Sequence, residues 1–144
     1  MPKLTPAQDR FLRSARTGHL ATADAKGQPH VIPICYAFDG ETIYSVLDAK
    51  PKTTPFRNLR RVRNILANPQ VSIVVDHYAE DWNQLQYVMV IGEASLLESG
   101  EEWAGSIIML RKKYDPYKDM DLDESPVIKI TPTRFVPWSF QPDL

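Results

Sequence analysis

Apolar and polar positions switch between two periods along the chain, and the switches mark its elements. Thr5 is placed to cap a first helix, with Pro6 in its first turn and Gln8 three residues after the cap; the helix runs through Phe11 and Leu12 to about Arg16 and is stopped by Gly18. Residues 19–23 read as a strand, 25–28 as a turn, and the apolar run 31–38 as a second strand. Asp39 and Gly40 form a tight hairpin turn, and 41–47 is a third strand. A helix over about 55–67 ends before Asn68 and Pro69, because the residue preceding proline is disfavoured in the helical region. Strands at 71–75 and 85–94 flank a polar loop at 78–83. A helix over about 101–114, an acidic loop near 119–124 and a last strand near 127–130 complete the pattern, with no internal repeat.

About six strands in meander order, with few and separated helices, predict a mainly β, antiparallel barrel or sandwich in one domain spanning 1–144. In the second strand both alternating sets are apolar: Ile32, Ile34, Tyr36 and Phe38 on one side, Val31, Cys35 and Ala37 on the other. The strand at 87–91 is apolar on both sides too. A small antiparallel sheet ordinarily has one wet face, so two dry ones predict a homodimer whose partner covers the outside. The competing explanation is that the two longer helices cover that face within one chain.

Charge changes the picture in one segment. The net charge is −1, yet no acidic residue lies between Asp48 and Asp76, where Lys50, Lys52, Arg57, Arg60, Arg61 and Arg63 all fall, leaving −7 elsewhere. On a helix, Phe56, Leu59, Val62 and Leu66 share one face, and Arg57, Arg60, Arg61 and Asn64 the opposite one. Ahead of it, Lys52, Thr53 and Thr54 lie in a strand-to-helix loop, where lysines, hydroxyls and free backbone N–H groups suit a phosphate. A solvated basic face and a nucleic-acid surface are the other readings. Phe56 is the segment's only aromatic, which gives base stacking little support, so nucleic acid is not expected as a partner.

The run AlaThrAlaAspAlaLysGlyGlnProHisValIleProIleCysTyrAlaPheAspGly over 21–40 resembles the pyridoxamine 5'-phosphate oxidase-related split barrels. So do IleTyrSer at 43–45, ArgValArgAsnIleLeuAlaAsnProGlnValSerIleValVal over 61–75, and the closing IleThrProThrArgPheValProTrp over 130–138. LysProLysThrThr, ArgArgValArgAsn and AspHisTyrAlaGluAspTrp (76–82) are similar to the branch predicted to use the deazaflavin coenzyme F-420. The resemblance implies a six-stranded antiparallel split β-barrel of Greek-key type with flanking helices, holding two cofactors, FMN or F-420, at a dimer interface. Lys52, Thr53 and Arg61 would bind the phosphate, with Lys50 and Arg57 beside them. Residues 31–34 (Val31, Ile32, Pro33 and Ile34) and 45–47, including Ser45 and Val46, would line the ring, with His30 adjoining. Pro29 and Pro33 cannot donate to a ladder, so their strand is expected to be irregular or at an edge, with backbone groups free for a ligand. Trp82 either stacks on the cofactor of one subunit or is an ordinary packing residue. Family members that oxidise pyridoxamine phosphate continue past the last strand with an Arg/His-bearing tail. Residues 139–144 contain neither, so that substrate is not expected.

The remaining chemistry is sparse. Cys35 is the sole cysteine and reads as a small buried hydrophobe, and His19, His30 and His77 have no metal-ligand spacing. No nucleophile elbow, P-loop or dinucleotide fingerprint occurs. No catalytic residue is assigned, with His30 the one candidate proton donor; a bound cofactor carries hydride chemistry without an acid/base pair. The start of the chain lacks a signal-peptide pattern, and no window approaches the roughly 20 apolar residues of a membrane span, which predicts a cytoplasmic protein without membrane contact. Two functions follow: an oxidoreductase passing hydride between reduced F-420 or FMN and a small molecule, or a non-catalytic carrier of the same cofactor.

Overall fold

Each local signal in the first third of the chain closes a hydrogen-bonded unit. In the computed structural model, which describes residues 3–48 and 55–141, helix α1 (Pro6–Ser14) opens with a reciprocal cap. The Thr5 hydroxyl accepts the Gln8 N–H at 3.2 Å, and the Gln8 side chain accepts the Thr5 N–H at 2.9 Å. Strands β1 (Gly18–Ala23) and β2 (Pro29–Ile34) form a hairpin, as do β3 (Ala37–Phe38) and β4 (Ile43–Val46), the latter turning through Gly40 at φ +100°. Helix α2 (Arg60–Ala67), β5 (Gln70–His77), β6 (Gln86–Leu97), α3 (Glu101–Lys113) and β7 (Val127–Ser139) follow.

The strands make one antiparallel sheet in the order β2-β1-β5-β6-β7-β4-β3. The predicted single strand over 31–38 is therefore two, broken at Cys35 and Tyr36, and the first strands do not meander: β2 and β3 lie at opposite edges. Only two residues separate those edges, a reach of roughly 7 to 10 Å. The sheet must curl until its edges nearly meet, which makes the molecule a split β-barrel, with the two-residue β3 as a seventh, minimal strand. Pro29 and Pro33 do fall on an edge strand, where their missing N–H groups cost no ladder bond.

The barrel interior is filled by Leu20, Tyr36, Phe38, Ile73, Val90 and Ile130 among others, with Val62 and Ile65 of α2 joining them. Here the helix departs from its sequence pattern. Leu59 is extended (φ −65°, ψ 138°), so a short 3-10 turn at Phe56–Asn58 is out of phase with α2. Asn64, placed on the basic face by the sequence, is buried and donates to Thr22 Oγ1 at 3.0 Å, while Leu66, placed in the core, is 57% exposed.

Outside the barrel, Ile107 and Leu110 of α3 pack with Tyr44, Val46, Val127 and Tyr117 over the β4 side. Among the described residues no helix covers the outer face of β1, β5 and β6. There Pro33, His19, Val74, Met89 and Val136 form one row through successive ladder partners. Neither α2, whose apolar side enters the core, nor α3 explains the dry outer face of β6. Among the described residues, no helix is long and apolar enough to cross a membrane.

Candidate functional site

The break between β2 and β3 opens a cleft. Freed from the ladder, the Cys35 carbonyl is taken by the Ser45 hydroxyl of β4, the strand next to the β3 edge, at 2.8 Å, which ties the crossing segment to the far side of the sheet. Pro33, Ile34 and Cys35 from the end of β2 and the crossing after it, Ser45 and Val46 from β4, and Leu59 and Arg61 from the start of α2 line a cleft of about 340 Å³, within the range of small-ligand sites. Thr17, Asp48 and Tyr117 complete it.

Its electrostatics rest on three groups. Burial draws the Arg61 guanidinium below its ordinary value, and the nearby Asp48 carboxylate and Tyr117 oppose that drop; a guanidinium stays charged regardless. The Tyr117 hydroxyl donates to Asp48 Oδ2 at 3.3 Å, and burial, with Cys35 and Asp48 nearby, pushes its ionisation up. Tyr117 is therefore a neutral donor at working pH. The cleft offers a half-buried cation and a carboxylate acceptor around an apolar wall, with the Ser45 and Tyr117 hydroxyls already donating to the Cys35 carbonyl and Asp48. That set suits the alternating carbonyl and N–H edge of a flavin or deazaflavin ring.

Behind the cleft, Tyr36 is anchored through its hydroxyl to the Leu12 carbonyl, and its backbone N–H donates to the Tyr114 hydroxyl at 3.1 Å. Lys113 Nζ donates to the Tyr36 carbonyl at 2.9 Å and lies 4.0 Å from the Tyr36 ring centroid. Burial, then the Arg16 charge, lowers its ammonium to about 8.

Of the residues singled out from sequence, Pro33, Ile34, Ser45, Val46 and Arg61 come together in this cleft from three separate segments, while Leu47 is buried in the barrel core. Val31 is exposed on the outer face of β2, and Ile32 packs on the barrel core. His30 is half-buried opposite Thr22, its Nδ1 without a partner, and is not among the cleft's lining residues. Arg57 pairs with Glu98 at 3.3 Å, beside a separate groove. Trp82 is 58% exposed in the β5–β6 connection. Lys50, Lys52 and Thr53 lie outside the described residues. Cys35 corrects its sequence reading: it is half-exposed in the cleft wall, because the strand breaks at it. Asp48 and Tyr117 were not visible in the sequence as site residues. Tyr117 reaches the cleft only through the packing of the turn after α3, which leaves no local signal. Among the described residues, no group of three or more His, Cys, Asp or Glu side chains could hold a metal ion.

A split barrel with a cleft where its sheet closes on itself defines a class of small ligand-binding β proteins, and the comparisons make it specific. The family profile described as pyridoxamine 5'-phosphate oxidase matches residues 4–139, and the chain belongs to that family. It is 28% identical to a 5a,11a-dehydrotetracycline/5a,11a-dehydrooxytetracycline reductase of Streptomyces rimosus, over 97% of this chain and 86% of that one. Among solved structures, the conserved hypothetical protein Rv2991 of Mycobacterium tuberculosis superposes with a TM-score of 0.77 at 24% identity, covering 98% and 89% of the two chains. HutZ, the heme storage protein of Vibrio cholerae, gives 0.71 at 21% identity, covering 96% and 95%. An F-420 reductase gives 0.68 at 24%, covering 92% and 98%. These three show that the fold is shared.

Proposed function

We propose that the protein is a flavin- or deazaflavin-dependent oxidoreductase that passes hydride between reduced F-420 or FMN and a small electron-poor molecule. The observation that carries this reading is the convergence of Pro33, Ser45, Val46 and Arg61 on one cleft of about 340 Å³. Arg61 and Asp48 would engage the polar edge of the ring, and Val46 and Pro33 its flat face. Residues 49–54, with Lys50, Lys52 and Thr53, connect Asp48 at the cleft to Pro55 and would take the phosphate, with Arg57 beside them. When bound, the cofactor supplies the hydride chemistry; the chain's own groups bind it, orient it and limit water. The reductase from Streptomyces rimosus and the F-420 reductase support the redox reading.

The working form is a homodimer whose partner covers the outer row from Pro33 to Val136, the half of the barrel that α3 leaves open. Trp82 would then stack against a cofactor across the interface. A carrier without turnover is the second reading, favoured by the heme storage protein that shares the fold. Steady-state oxidation of the reduced cofactor with a panel of quinones and enones separates the two. Turnover that disappears in Arg61→Ala supports the enzyme; tight cofactor binding with no turnover of any acceptor supports the carrier.

A further inference from the structure

Two opposite charges stand on the outer face of the sheet, on either side of its apolar middle. Met89 of β6 is at the centre of that face, with Val74 of β5 and Val136 of β7 beside it in register. Residues directly opposite in an antiparallel ladder share a face, and so do residues two apart along a strand. Two residues before Met89, Tyr87 is opposite Asp76 of β5; two residues after it, Ile91 is opposite Arg134 of β7. Asp76 and Arg134 are therefore on one face, displaced from Met89 by the same amount in opposite directions. Strands are roughly 4.8 Å apart and rise roughly 3.3 Å per residue, which puts each charge roughly 8 Å from Met89 on a diagonal. Both residues are exposed, and among the described residues neither side chain has a hydrogen bond or an ion pair. The next acid along β6, Glu93, is already engaged by Gln70 at 3.1 Å.

We infer that this face pairs with a second copy of itself about a two-fold axis at Met89, so that Arg134 of each protomer meets Asp76 of the other. An isologous contact sets a patch against its own copy, so its charges must be exchanged by the two-fold. An axis lying in the interface plane, through Met89 and perpendicular to the Asp76–Arg134 diagonal, makes that exchange. It brings Arg134 onto the partner's Asp76, Asp76 onto the partner's Arg134, and Met89 onto the partner's Met89. Both charges are then matched at once, with the apolar centre between them. The same axis crosses the strands of the two protomers at roughly 70°, near the orthogonal class of sheet packing. A packing of two copies that buries the patch without this exchange leaves unpaired charges under the interface, which is strongly unfavourable; so does an apolar ligand spread over the same face. The inference rests on the dimer reading above and adds to it the axis and the two residues that fix the orientation.

The test is charge reversal, read as molar mass by light scattering on a sizing column. Arg134→Glu alone sets acid against acid at both contacts, and Asp76→Arg alone sets base against base, so each variant is expected to run as a monomer under conditions where the wild type is a dimer. Mixed in equal amounts, the two variants are expected to recover the dimer mass. In the mixed pair the introduced glutamate faces the introduced arginine, and the native Asp76 faces the native Arg134. Recovery on mixing also shows that both variants are folded, and an effect confined within one chain would not produce it. Both reversals in one chain should likewise restore the dimer. Either single variant remaining a dimer, or a mixture and a doubly reversed chain that both stay monomeric, overturns the inference. A wild type that Met89→Arg dissociates but neither charge reversal does keeps the dimer reading and removes this axis; a wild type that is itself a monomer removes both.

Discussion

Arg61 is drawn out of solvent on the first turn of an eight-residue helix, with Asp48 close enough to favour its charge. Arg61 is legible in the sequence as a cation placed to meet a phosphate, because the basic run is dense and uninterrupted by acids. Asp48 and Tyr117 are not, because a carboxylate at a strand end and a tyrosine in a tight turn carry no pattern until the barrel closes around them. Lys113 is a further residue whose state only packing reveals. Its folded value of about 8 lies below the ordinary 10.5, so the unfolded chain holds the proton more tightly and stability rises with pH between those values. Urea unfolding from pH 8 to 9.5 should show a gain of about 1 kcal/mol, reduced by the exposed part of the side chain, that is absent in Lys113→Gln. The upper limit of the window is set by Tyr36, Tyr44, Tyr114 and Tyr117, whose raised values work in the opposite sense once unfolded tyrosines ionise. Gly92 is a simpler case: a Cβ there would lie 2.4 Å from the Thr131 carbonyl, where the β6–β7 register shifts. Gly92→Ala should therefore cost about 2 to 4 kcal/mol in the same assay, and a neutral result would mean the bulge can relax.

At the level of elements, local signals survived and non-local ones did not. The capped first helix and the stop before Pro69 are written in neighbouring residues and stand where their chemistry puts them, and the turn read at Asp39–Gly40 stands one residue on, with Gly40 and Glu41 at its tip and Asp39 closing it to Thr42. The order of strands is not local. Two residues, Cys35 and Tyr36, carry the chain from one edge of the sheet to the other, and an unbroken apolar run concealed the step. The phase of α2 failed for a related reason, since the periodicity was carried through Leu59, where the backbone is extended. This rotation has a direct test by urea unfolding. Val62→Ala, which hollows the core, should cost about 2 kcal/mol, whereas Leu66→Ala should cost under about 0.5 kcal/mol. Equal and large losses would restore the face read from the sequence.

For the whole molecule, the issue is what covers the open half of the barrel. Helix α3 shields the β4 side, and among the described residues no helix covers the row from Pro33 through Val74 and Met89 to Val136, which the proposed dimer would bury. Met89→Arg, which puts a charge in the middle of that row, should convert a dimer to a monomer in light scattering and lower cofactor affinity with it; a dimer of unchanged mass would place the interface elsewhere. The central claim is that the cleft at Arg61 holds a flavin or deazaflavin. Its most direct test is equilibrium titration of the purified protein with FMN and, separately, with F-420, repeated on Arg61→Ala. The expected result is saturable binding of one cofactor in preference to the other, weakened roughly ten- to a hundredfold in the variant, as losing a charged contact predicts. Binding of neither cofactor, or equal binding by the wild type and Arg61→Ala, would contradict it.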